Sequence, residues 1–104
     1  MKNTLLLPEE KIRDFCRKWR IKELAVFGSI LRDDFRPDSD IDFLVSFHEG
    51  CKPPWPQVLD LEDELVAMVK HPVDVIERRN VETSENYIKR KHILGSAETI
   101  YVER

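Results

Sequence analysis

The run Ile41-Asp42-Phe43-Leu44-Val45-Ser46-Phe47 constrains this chain most. It is rich in β-branched and aromatic residues, and Arg36-Pro37-Asp38-Ser39 just before it is good turn material, so it predicts a strand. Leu24–Phe27, which ends at Gly28, and Val73–Ile76 predict two shorter strands. Around them lie segments with helical spacing. Pro8-Glu9-Glu10 starts one, with proline tolerated in the first turn and acids near the positive end, and Ile12, Phe15, Cys16 and Trp19 share a face. Val58, Leu61, Leu65 and Val69 mark a second helix, which His71-Pro72 ends. From about Glu85 onward, Ile93, Ala97, Ile100 and Tyr101 recur at three- and four-residue steps and predict a C-terminal helix, weakened in its middle by Gly95. Ile30 to Phe35 reads as a brief helix or helical turn. His48 to Pro56, with one glycine and three prolines, reads as a loop. Strands alternating with helices predict a small α/β or α+β sheet with helices packed against it.

A chain of 104 residues is one domain's worth, so residues 1–104 are expected to form a single domain. With 36% charged and 41% hydrophobic residues, the composition is that of a globular protein rather than a disordered one. A net charge of −3 gives no global pull toward nucleic acid. The apolar run before Pro8 is too brief for a signal peptide, and no stretch reaches membrane-spanning length. Cys16 and Cys51 do not make a disulfide framework, which together with the missing signal predicts a cytoplasmic protein.

The acids carry the chemistry. In a strand, residues two apart point to the same face, so Asp40 and Asp42 oppose Ile41 and Phe43. Adjacent carboxylates repel unless a cation or proton lies between them. Oxygen ligands suit magnesium or manganese, particularly beside substrate phosphates. Asp74 begins another strand with the same alternation; if the two strands are neighbours, it joins the cluster and suffices for a two-metal site. Phe27-Gly28-Ser29 ends a strand with a residue that permits a sharp turn and close approach by a ligand, and with a hydroxyl suited to phosphate oxygens. Acids for metal beside a turn for phosphates describe phosphoryl or nucleotidyl transfer. An EF-hand calcium loop also matches several of the acids, but it needs a glycine where this chain has Phe43.

Other residues read as ordinary. His48, His71 and His92 lack zinc-ligand spacing. Cys16 is expected in the core, Trp55 as cover over it or else a partner contact, and the basic run Tyr87 to His92 as a solvated helix face or else a patch facing an acidic partner surface or the ATP phosphates.

Gly28-Ser29, a spacer, Asp40-Ile41-Asp42 and the later Asp74 together resemble the polymerase-beta-like nucleotidyltransferase superfamily, and most closely its minimal nucleotidyltransferases. The resemblance extends over nearly the whole chain. It implies an α+β fold, a small mixed β-sheet flanked by helices, and an ATP-dependent transfer using Mg2+. It further implies that Asp40 and Asp42 ligate the metal and that Gly28 and Ser29 hold the triphosphate. Asp74 would join the metal and activate the acceptor hydroxyl. Arg32 would meet a phosphate or the acceptor, or else pair with Asp33 or Asp34. Minimal members typically act as antitoxins to a HEPN-domain ribonuclease toxin, and resemble proteins that transfer AMP to a toxin tyrosine. Two alternatives remain open: a non-catalytic antitoxin that inhibits by stoichiometric binding, and a transferase with a small-molecule or nucleic-acid acceptor. The latter needs an acceptor pocket completed by a dimer partner, and both homo-oligomers and hetero-oligomers fit the sequence.

Overall fold

The computed structural model describes residues 7–103. The apolar run at Leu5-Leu6, part of the expectation against a signal peptide, lies outside the described residues.

Helix α1, Glu9–Lys18, begins after Pro8, with Glu9 and Glu10 in its first turn and Arg17 and Lys18 in its last. Both placements complement the helix dipole. Ile12, Phe15 and Cys16 are buried, while Trp19 caps the helix and donates its Nε1–H to Glu64 Oε2 at 2.8 Å. Arg20, at φ 56°, turns the chain into strand β1, Ile21–Phe27. A short 3-10 turn, Gly28–Leu31, follows, and then strand β2, Ile41–Phe47. Helix α2, Gln57–Val69, buries Leu61, Leu65 and Val69 at four-residue steps and ends on Lys70 in the left-handed region. Strand β3, Val73–Glu77, leads into the short helix α3, Arg78–Glu82. Helix α4, Tyr87–Ser96, is capped by Asn86, whose side chain accepts the Lys89 N–H at 3.0 Å. Strand β4, Glu98–Val102, closes the described chain.

The four strands make one mixed sheet in the order β3-β2-β1-β4. β1 runs antiparallel to both β2 and β4, whereas β2 and β3 are parallel, joined through α2. Both faces are covered. On one, Leu24, Val26, Ile41, Phe43 and Val45 pack with Ile12, Phe15 and Cys16 of α1 and Leu61, Leu65 and Val69 of α2. On the other, Ala25, Phe27 and Leu44 pack with Val81 of α3 and Ile93 of α4. Each face is an apolar layer shielded from water by helices. Among the described residues no helix is long and apolar enough to cross a membrane.

Four expectations need correction. The C-terminal helix stops at Ser96, and Ile100 and Tyr101 belong to β4. Thr99-Ile100-Tyr101-Val102 is good strand material, and pairing with β1 satisfies backbone groups that β1 would otherwise leave bare. The helical turn lies at Gly28–Leu31 rather than Ile30 to Phe35. β1 begins at Ile21, not Leu24, because Ile21 pairs with Phe47. Trp55 is 68% exposed and covers no core, which removes the first of its two expected roles and leaves the second untested.

Cys16 is fully buried, and loss of hydration pushes its thiol up to about 12. A thiol reagent at neutral pH is therefore expected to label Cys51, which is half-buried, in the native protein and to reach Cys16 only on unfolding. Intact mass during a labelling time course checks this; two labels at equal rates would contradict it.

Candidate active site

β1 delivers Phe27 opposite Asp42 of β2, so the chain leaves the sheet beside that carboxylate. Gly28 makes the exit at φ +79°, in the region that favours glycine. A Cβ at Gly28 would collide with Asp42 Oδ2 and lie 3.5 Å from its Cγ. Backbone thus approaches the carboxylate so closely that a side chain here would fit only if Asp42 swung aside. The turn is closed by the Arg32 N–H donating to Ser29 O at 3.0 Å. The Ser29 hydroxyl donates to the Asp40 carbonyl, also at 3.0 Å, and so ties the turn to the segment before β2.

On its other side Asp42 has Asp74 as its register partner in the parallel β2–β3 pair. Two residues further on, Leu44 lies beside Ile76, and both pack in the cluster beneath α3 and α4. By strand alternation Asp42 and Asp74 lie on that same face, at its end. Ile41 and Phe43, on the opposite face, are fully buried. The strands thereby bring together the two acids that lie 32 residues apart in the sequence.

Asp42 is half-buried, whereas Asp40 and Asp74 are exposed. Burial, then the charges of Asp74 and Asp40, raise the Asp42 carboxyl above the ordinary carboxylate value, and the Arg32 charge opposes them. Arg32 is itself exposed, with Nε 3.3 Å from Asp34 Oδ1. It therefore lies within electrostatic reach of Asp42 while pairing with Asp34. Asp38 occupies the exposed turn expected of Pro37-Asp38-Ser39, closed by the Ser39 N–H donating to Arg36 O.

Among the described residues, no three histidine, cysteine or acidic side chains gather closely enough to hold an ion unaided. The expected three-carboxylate cluster is thus a strand-paired Asp42 and Asp74 with Asp40 near, rather than a closed cage. Magnesium suits that arrangement, since it is commonly held by one or two carboxylates together with substrate phosphates and water. The burial of Asp42, with repulsion from Asp74 and Asp40 that Arg32 offsets only in part, and the close approach of Gly28 both fit a cation with its phosphate oxygens.

Sequence reasoning gave His71 no role beyond ending a helix, yet it is buried and hydrogen-bonded to the Ser39 carbonyl. The only signal was a histidine just before a strand bearing an aspartate.

The family model "Polymerase beta, Nucleotidyltransferase" matches residues 10–103. Protein adenylyltransferase MJ1379 of Methanocaldococcus jannaschii, so named provisionally, is 32% identical over 73 residues, covering 70% of this chain and 71% of that relative. A toxin–antitoxin crystal structure with AMP-PNP superposes with a TM-score of 0.68 at 20% identity, over 94% of this chain and 76% of that one. A tri-AMPylated Shewanella oneidensis HEPN toxin in complex with MNT antitoxin gives a TM-score of 0.58 at 17% identity, over 97% of this chain and 73% of the matched one. The two superpositions show a shared fold. With a family model spanning nearly all of it, the chain belongs to the polymerase beta nucleotidyltransferase family.

Proposed function

We propose that this chain is a cytoplasmic, Mg2+-dependent protein adenylyltransferase. It moves AMP from ATP to a hydroxyl, that of a tyrosine, on a HEPN-domain toxin and so acts as the antitoxin. The observation that carries this reading is the pairing of Asp42 with Asp74 beside a Gly28 turn whose backbone closely approaches the Asp42 carboxylate. Binding a partner requires no convergent carboxylates. The relative named as a protein adenylyltransferase and the neighbours that are toxin–antitoxin complexes, one with AMP-PNP, support the same reading.

Asp40 and Asp42 hold the magnesium, with Asp74 completing the set. When bound, the metal neutralises triphosphate charge and stabilises the departing pyrophosphate. The Gly28 backbone cradles phosphate oxygens together with the Ser29 hydroxyl, whose single hydrogen then leaves the Asp40 carbonyl, and Arg32 is close enough to the acids to exchange Asp34 for a phosphate. Asp74 is open to solvent, so an acceptor side chain reaches it without displacing protein. Its carboxylate takes the proton as the acceptor oxygen bonds to the α phosphorus in line. The bond from that phosphorus to the bridging oxygen breaks, and pyrophosphate leaves.

Incubating the toxin complex with ATP labelled at the α phosphate tests this. Label is expected in the toxin, to fall at least about 100-fold with EDTA, and to return with Mg2+ or Mn2+. Label that is insensitive to EDTA would contradict the metal role. A tight complex that never labels would make the chain a stoichiometric inhibitor instead.

A further inference from the structure

His71, only 7% exposed, is the buried polar side chain among the described residues. It lies outside β3, one residue before Pro72, and does not border Asp42 in the sheet register. Its Nδ1 is 3.0 Å from the Ser39 carbonyl, and because a carbonyl only accepts, Nδ1 carries the hydrogen. The ring packs on Phe35, with centroids 4.9 Å apart. From the adjoining residue, the Pro72 carbonyl accepts the Ile41 N–H at 2.9 Å. From the opposite side, Ser29 Oγ donates to the Asp40 carbonyl at 3.0 Å.

Three consecutive residues, Ser39, Asp40 and Ile41, are thus each held by a backbone hydrogen bond to another part of the chain. Two of the anchors come from the approach to β3 and one from the turn after β1. The preceding Arg36, Pro37 and Asp38 are exposed, and Arg36 bonds to Ser39 within a local turn that itself lies at the surface, so the turn moves with Ser39 rather than holding it to the body of the fold. His71 is buried, so its N–H is costly to leave without a partner, and Ser39 supplies that partner at a half-buried position.

We propose that His71 is a positioning residue for the carboxylates. By clamping the Ser39 carbonyl to the start of β3, it sets Asp40 beside the Asp42–Asp74 pair. Its effect on metal and nucleotide rests on the adenylyltransferase reading above; the clamp itself does not.

The test uses the full chain with three variants. His71→Asn keeps an N–H donor at the Nδ1 position. His71→Leu keeps bulk against Phe35 and removes the donor. Val69→Ala, in the core at the end of α2, supplies a loss of stability without touching the clamp. The readouts are amide hydrogen exchange across residues 38–42 and the Mg2+ concentration for half-maximal binding of AMP-PNP, measured by calorimetry. The Mg2+ requirement for AMP transfer is the third.

His71→Leu is expected to speed exchange at Asp40 and Ile41 and to raise both Mg2+ requirements about 10- to 100-fold, the scale on which residues behind metal ligands act. His71→Asn is expected to stay within about threefold of wild type on that same scale, and Val69→Ala to leave the Mg2+ requirement unchanged. Wild-type behaviour of His71→Leu in exchange and Mg2+ requirement would overturn the proposal, as would an equal shift in Val69→Ala. If the wild type neither binds Mg2+ with AMP-PNP nor transfers AMP, the adenylyltransferase reading fails. The exchange rates of the variants then still decide whether His71 clamps the segment.

Discussion

Asp42→Asn is expected to lower AMP transfer by about 10³-fold or more, the scale of removing a group that acts on transition-state charge. The same variant is expected to melt at a higher temperature than wild type at pH 7 without divalent ions. Burial and the neighbouring Asp74 and Asp40 raise the Asp42 carboxyl, so the folded state binds that proton more tightly than the unfolded chain does. The resulting stabilisation is fully present below the ordinary value of 3.8 and is lost as pH rises through the raised folded value. Above that, the wild type carries an ionised group that its surroundings disfavour, and asparagine removes the penalty. Asp42 is only half-buried, so screening holds the gain below about 1 kcal/mol, or a few degrees in a chain of this size. The gap should close on acidification. With AMP-PNP and Mg2+ in excess the order should reverse, because ligand at about 100 times its dissociation constant adds roughly 2.7 kcal/mol to a protein that binds it. Melting curves at several pH values check each step. A variant less stable than wild type at pH 7, or a gap indifferent to pH, would contradict this account of Asp42.

Gly28→Ala has two separable effects. At φ +79° an L-residue is strained by about 1–2 kcal/mol. The new Cβ also collides with Asp42 Oδ2, so the carboxylate must swing away. A fall in Tm of about 5–15 °C is expected, with AMP transfer reduced at least about 100-fold by the displaced carboxylate. A double-mutant cycle divides the two. In an Asp42→Ala background the clashing oxygen is gone and the nearest remaining atom, the Cβ of residue 42, is 3.9 Å away, an ordinary contact. Gly28→Ala should therefore cost less there, leaving only the backbone strain. Equal costs in both backgrounds would show that the close approach to Asp42 is not what requires glycine at residue 28.

The strand from Ile41 to Phe47 was legible because a β-rich run bounded by turn residues leaves few alternatives, and helices α1 and α2 because their apolar positions repeat over several turns. The tail misled for the converse reason. Ile93, Ala97 and Tyr101 keep helical spacing across a boundary where the chain passes from α4 into β4, and spacing alone does not register the open edge of β1. The short helix α3 had no periodic signal to offer over Arg78–Glu82. Local motifs announced Gly28, Ser29, Asp40 and Asp42, and alternation predicted which face Asp42 takes. The parallel register that seats Asp74 beside it is a long-range pairing, legible only as a condition on strand order. The place of His71 just before the strand bearing Asp74 was too slight a signal to assign it a role, since its contact with Ser39 depends on how the two segments pack.

Whether this chain transfers AMP to its toxin is read from the intact mass of the HEPN toxin purified with it, after treatment with ATP and Mg2+. Toxin heavier by one or more whole AMP groups with the wild-type chain, and unmodified with Asp42→Asn, is the predicted result. Toxin of unaltered mass in a stable complex with the wild-type chain would contradict it.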